Sequence, residues 1–99
     1  MDGPDEIIHQ STRLKIAATL NALPNGESLE FGKLKNMLGA TDGNMATHLG
    51  ALEKAGYIAV EKDFVGKKPR TRVALTPRGR KALRAHVAYL RTVLEGMPE

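Results

Sequence analysis

Nine basic side chains fall within residues 62–84: Lys62, Lys67, Lys68, Arg70, Arg72, Arg78, Arg80, Lys81 and Arg84, with Asp63 the single acid among them. The stretch therefore carries a local balance of +8, while the other six bases and ten acids leave the rest of the chain at −4. A formal net charge of +4 conceals a basic segment set in a slightly acidic body, the footprint expected of a surface that meets a polyanion. Just upstream lies a second group, Thr41, Gly43, Asn44, Thr47 and His48. Small side chains let a helix sit deep in a major groove, and Asn, Thr and His can hydrogen-bond base edges there.

Those groups need elements to hold them. Asp5 to His9 can form a helical turn, and Ser11 or Thr12 can cap a helix through Leu23, with Leu14, Ala17, Ala18, Leu20 and Leu23 as its apolar positions. Leu23-Pro24-Asn25-Gly26 reads as a turn, and Ser28-Leu29-Glu30 as a short segment able to pair at a sheet edge. A short helix is expected from Phe31 to Leu38, stopped by Gly39, and a third from Asp42 to Ala55, capped by Thr41 and ended by Gly56. On that third helix Met45, Leu49 and Leu52 form the buried stripe, with Gly43 and Thr47 opposite and Asn44 and His48 on one flank. His48 is open to two readings, packing at the helix boundary or contact with a base or phosphate.

Residues 57–61 and 71–75 are β-prone runs on either side of a Gly- and Pro-containing connector, which predicts a hairpin with a long basic tip, Val65 to Arg70. Lys67, Lys68, Arg70 and Arg72 would serve phosphates there, Pro69 would stiffen the tip, and Phe64 and Val65 would pack at its root. Arg70 and Lys68 flank the proline and are expected to matter most; Arg70 and Arg72 should share one strand face. Thr76-Pro77 starts a last helix, residues 77–95, as cap and first-turn proline.

The order is mainly α with a small antiparallel β-sheet, an α+β arrangement: two helices joined by a brief turn, then a hairpin, or winged helix-turn-helix. In the last helix Leu83, Val87, Leu90, Leu94 and Met97 step by four and three, an a/d seam, which with Ile7 and Ile8 is read as a homodimer interface. Arg78, Arg80, Lys81 and Arg84 crowd the N-terminal end of that helix, the wrong end for cations beside its dipole, which points to a polyanion or to acids of a partner.

The remaining composition excludes several classes. With no cysteine there is no disulfide scaffold, thiolate nucleophile or Cys-ligated metal, and three scattered histidines offer no metal site. No metal and no cofactor is expected. No apolar run approaches the ~20 residues of a membrane span, and Met1 to Glu6 is too acidic for a signal peptide, so the expected setting is cytoplasmic, in one domain spanning 1–99. No nucleophile–base pair, phosphate-cradling glycine loop or suitably spaced carboxylate pair is present, so no enzyme is expected; Asp42 and Glu53 read as helix charges.

The strings His9 to Ile16, Thr41 to Leu49, Leu52 to Ile58, Phe64 to Thr71 and Leu75 to Gly79 together resemble small winged-helix transcriptional regulators related to the MarR and ArsR families, over roughly residues 5–95. The resemblance implies a dimeric, sequence-specific regulator of duplex DNA, with its third helix in the major groove and its wing along the backbone. On that reading Thr41, Gly43, Asn44, Thr47, His48, Lys67, Lys68, Arg70 and Arg72 contact DNA, and Ile7, Ile8, Leu83, Val87, Leu90 and Leu94 pair two copies. The function expected is a repressor on an inverted repeat; a winged helix that binds an acidic protein is the alternative. ArsR-type cysteine sites are missing, and the chain has little room for the ligand pocket of longer MarR-type proteins, so no small-molecule effector is assigned.

Overall fold

The computed structural model describes residues 4–96. Helix α1 (Ser11–Asn21) leads through β1 (Leu29–Glu30) to α2 (Phe31–Leu38) and α3 (Asp42–Lys54). Strands β2 (Ile58–Val65) and β3 (Lys68–Leu75) form the hairpin, and α4 (Pro77–Gly96) closes the chain. The sheet order is β1-β3-β2, antiparallel throughout, with Leu29 opposite Val73 and Ile58 opposite Leu75. This is the winged helix-turn-helix expected from the sequence.

Local signals explain most of the boundaries. The Thr41 hydroxyl accepts the Asn44 N–H at 3.2 Å and caps α3. At the other end Tyr57 N–H returns to the Leu52 carbonyl at 3.0 Å and Gly56 N–H to Glu53 at 2.9 Å, so the chain leaves α3 in a fixed direction into β2. Thr76 does double work: its hydroxyl accepts the Gly79 N–H at 2.9 Å, capping α4, and donates to the Gly56 carbonyl at 2.7 Å. Helix α4 then lies so close to the α3–β2 junction that a Cβ on Gly79 would press into the Tyr57 carbonyl and come within 2.8 Å of Leu75 Cδ1. Only glycine fits there.

The core takes Ile16, Ala17 and Leu20 from α1, Leu34 from α2, and Met45, Leu49 and Leu52 from α3. Ile58, Val73 and Leu75 of the sheet, Leu83 of α4 and Ile8 of the N-terminal segment complete it. Two of the residues expected at a dimer interface, Ile8 and Leu83, are thus buried within a single chain and need no second copy to cover them. In α1 Ala18, one of the apolar positions expected inside, is exposed, and Ile16 is buried in its place. The cap of α1 is Gln10, whose side-chain oxygen accepts the Arg13 N–H at 2.9 Å, in place of Ser11 or Thr12.

The N-terminal segment is fastened by Asp5. Its carboxylate accepts N–H groups of Ile7 and Ile8 at 2.9 and 3.0 Å and the Tyr57 hydroxyl at 2.6 Å, while its own N–H donates to His86 Nδ1 at 3.2 Å. Burial by itself would raise the Asp5 carboxyl, but the bonds from Tyr57, Ile8 and Ile7 outweigh it and hold it below the usual carboxylate range. The same bond raises the Tyr57 phenol. His86, 1% exposed, is depressed by burial and then by His9, with Asp5 opposing. It is the one buried polar side chain among the described residues, and it keeps the neutral ring that an Nδ1 acceptor requires.

Candidate nucleic-acid interface

Helix α3 presents the surface that its periodicity implies. Gly43, Asn44 and Thr47 are exposed opposite buried Met45, Leu49 and Leu52. Thr47 Oγ1 donates to the Gly43 carbonyl at 3.0 Å, which fixes its rotamer and leaves lone pairs outward. Asp42 at the helix start is held by Lys35 of α2 at 2.7 Å, an ion pair that ties the two helices of the motif together. His48 is half-buried, and its Nδ1 is enclosed without a partner among the described residues. Ala46 and Gly50, exposed and absent from the sequence-based candidates, line a groove with Phe31, Val60, Lys62 and Thr71 between α3 and the hairpin.

The hairpin differs from expectation. Its strands are eight residues each and pair out to Val65 opposite Lys68, so the turn is Gly66-Lys67 alone rather than a loop from Val65 to Arg70. Gly66 has φ +63° while Lys67 keeps negative φ, the pattern of a type II′ turn, whose twist suits a hairpin. Pro69 sits inside β3 opposite Phe64. Alternation from the closing Val65–Lys68 pair directs the nitrogen of Pro69 away from β2, to an edge that β1 does not cover, so no ladder bond is lost. Phe64 and Val65, expected as root packing, are instead 69% and 56% exposed near the tip.

Alternation also sorts the wing's charges. One face continues the core outward through Ile58, Val60, Lys62 and Phe64. The other carries Glu61, Asp63, Arg70 and Arg72, as expected for the two arginines. Arg70 grips Asp63 with both arms, Nε to Oδ1 at 2.9 Å and Nη2 to Oδ2 at 2.7 Å. Arg72 Nη2 lies 3.0 Å from Glu61 Oε2 and 3.2 Å from Asp63 Oδ2. The Arg70 hydrogen bonds, against some desolvation and with both arginine charges helping, hold Asp63 below the usual carboxylate range, and Arg70 is raised in turn. Lys62, Lys67 and Lys68 are exposed with no ion pair among the described residues. The signal for this arrangement was available: a two-residue turn at Gly66-Lys67 sets Asp63 against Arg70 and Glu61 against Arg72. Pro69, a residue that ordinarily interrupts a strand, masks that register in the sequence.

The cations at the start of α4 also find uses inside the chain. Arg80 donates to the Asn21 carbonyl at 3.1 Å, the Asn21 side chain at 2.8 Å and the Leu23 carbonyl at 3.2 Å. Arg78 packs its side chain along Gly56. What is the wrong helix end for α4 is the right end for α1, whose C-terminal carbonyls the Arg80 guanidinium meets. For Arg80 no outside anion is needed to explain its place.

Fold and surface together define a small winged helix built to present one helix and one hairpin side by side. A family model described as a winged helix DNA-binding domain matches residues 12–94, and the chain belongs to that family. It is 34% identical over 82 residues to the uncharacterized protein MJ0432 of Methanocaldococcus jannaschii, covering 83% of this chain and 86% of that one. Among solved structures it is similar to a transcriptional regulator homologue from Pyrococcus horikoshii (26% identity, TM-score 0.82, 93% of this chain and 88% of that one). It also shares its fold with the Mycobacterium tuberculosis transcriptional regulator MosR, solved in complex with DNA (20% identity, TM-score 0.68, 87% of this chain and 59% of that one). The same fold is found in MarR-family regulators of known structure.

Proposed function

We propose that the protein is a cytoplasmic, homodimeric transcriptional regulator, a repressor, that binds an inverted repeat in duplex DNA. One observation carries the reading: the exposed, small and polar face of α3 stands beside a hairpin with three uncommitted lysines. Asn44 and Thr47 are the base-reading residues, with Gly43 allowing close approach, and Thr41 and His48 lie at the edge of that contact. Lys67 and Lys68 engage phosphates, and Arg70 and Arg72 border them. MosR, of the same fold, is itself solved with DNA, which supports duplex DNA as the partner.

The second copy is assigned to residues 77–95 of α4. Val87 packs partly against the chain's own core, whereas Leu90 is half-buried outside it and Leu94 is 81% exposed, so the apolar face opens towards the end of the helix. Ile7 packs partly beside the core and Met97 lies outside the described residues. Two-fold symmetry would place the half-sites about one helical turn apart, or a multiple of that.

Selection from a randomised duplex library tests this directly. A palindrome should be recovered, and light scattering at tens of micromolar should give a dimer. A pool without enrichment, together with retention on an acidic protein, would favour the protein-binding alternative and end the DNA reading.

A further inference from the structure

The hairpin outruns its support. β1 pairs with β3 only at Val73 and Arg72, whereas β2 and β3 stay paired out to Val65 and Lys68. Beyond Arg72 the wing is a two-stranded ribbon with its outermost apolar side chains, Phe64 and Val65, in solvent. A two-stranded hairpin is marginally stable in water, because it has neither a third strand nor an apolar face to bury. If Lys62, Lys67 and Lys68 are to meet a ligand in a preset arrangement, another interaction must hold the ribbon.

We propose that Asp63 is a positioning residue: its carboxylate clamps β2 to β3 through Arg70 and Arg72, and so holds the wing's lysines in the shape that docks on DNA. This rests on the DNA-binding reading above. Asp63 and Arg70 are direct cross-strand partners, two residue pairs past Glu61–Arg72, the last pair that β1 reaches. Their contact is the two-pronged guanidinium–carboxylate fork, the most directional of the charge-assisted hydrogen bonds. Both side chains are about two-thirds covered, at 34% and 33% exposure, so the fork is less open to solvent than an ordinary surface pair. Arg72 then joins Asp63 to Glu61, so two carboxylates and two guanidinium groups alternate along one face of the ribbon.

A wing built only to attract phosphates would gain nothing from two acids among its cations. A wing ordered before docking gains what they provide, since less freedom is lost on binding. The two roles predict opposite signs. If Asp63 acts only as a charge, removing it makes the wing more positive and tightens binding to every duplex. If it is a clamp, removing it weakens binding although the positive charge has risen.

The test uses the full chain carrying Asp63→Asn, with Glu27→Gln as a variant of equal charge change in the exposed turn before β1. Affinity is measured on a duplex that the wild type binds, and amide hydrogen exchange on the free proteins. Asp63→Asn should weaken binding by about fivefold or more, with faster exchange of the wing's cross-strand amides and unchanged exchange in α3. Glu27→Gln should leave both readings near wild type. The charge swap Asp63→Arg with Arg70→Asp, which keeps the net charge and rebuilds the pair, should restore slow exchange. Tighter binding by Asp63→Asn, or wing exchange as slow as in wild type, would overturn the proposal. Should the wild type bind no duplex, the DNA reading fails, and the exchange data alone then decide whether Asp63 is a clamp.

Discussion

Helix α3 and the wing stand side by side and solve different problems. The exposed part of α3 is nearly uncharged where it is most accessible, with Gly43, Asn44 and Thr47 outward. It needs no brace of its own, because Met45, Leu49 and Leu52 anchor its other side in the core. The wing has the charge and lacks the core. Its outer ribbon is held by turn geometry and by an ion-paired face, and its free cations are lysines on flexible stems. Sequence discrimination requires groups placed to within a hydrogen bond's tolerance, which a core-anchored helix supplies. Phosphate contacts are less directional, so the wing's lysines can make them from flexible stems once the ribbon beneath them is ordered.

The largest effect should come from removing the frame that both regions share. Gly79→Ala drives a methyl into the Tyr57 backbone at the α3–β2 junction, and a loss of about 3 kcal/mol is expected by denaturant unfolding. Leu52→Ala, which empties the core beneath α3, should cost about the same or slightly less, near 3 kcal/mol, while leaving the wing's ion pairs in place. Retention of wild-type stability in either variant would mean that α3 is not anchored as described.

Smaller changes separate the two regions. Asn44→Ala should relax sequence preference by roughly 1–3 kcal/mol at one base position in a binding-site selection. Lys67→Ala or Lys68→Ala should weaken all duplexes alike and lower the salt slope by about one contact each.

The smallest effect is on stability as a function of pH. His86 is buried with its pKa depressed, so the unfolded chain binds a proton before the folded one does. Stability should be flat above the ordinary histidine pKa and decline as pH falls through it towards the lower, folded value. The Asp5 carboxyl, also depressed, adds a second loss at more acid pH, below its ordinary value of 3.8. Melting temperatures measured from pH 8 down to pH 3 would register the first loss in full and the onset of the second.

Much of α3 was legible in the sequence because its determinants are local: Thr41 as cap, Gly56 as stop, and an apolar stripe at helical spacing. The start of α4 was legible for the same reason, in Thr76-Pro77. The wing was harder. Pro69 argues against a strand unless its nitrogen faces an open edge, and that depends on how far β1 extends. The places of Ile8, Leu83 and Arg80 depend on partners distant in the chain; Arg80 caps a helix that ended 59 residues earlier. In the sequence Asp63, the single acid in a basic run, only lowers the local charge by one. Opposite Arg70 it becomes a structural group.

The division of labour between helix and wing can be tested in one titration series. Affinities for the selected duplex and for a scrambled one would be measured from low to high salt, for wild type, Asn44→Ala and the double variant Lys67→Ala with Lys68→Ala. Asn44→Ala should shrink the ratio between the two duplexes and leave the salt slope unchanged, while the double variant should lower the slope by about two and leave the ratio unchanged. If both variants altered the ratio and the slope in the same proportion, helix and wing would not be reading different features of the DNA, and the account would be wrong.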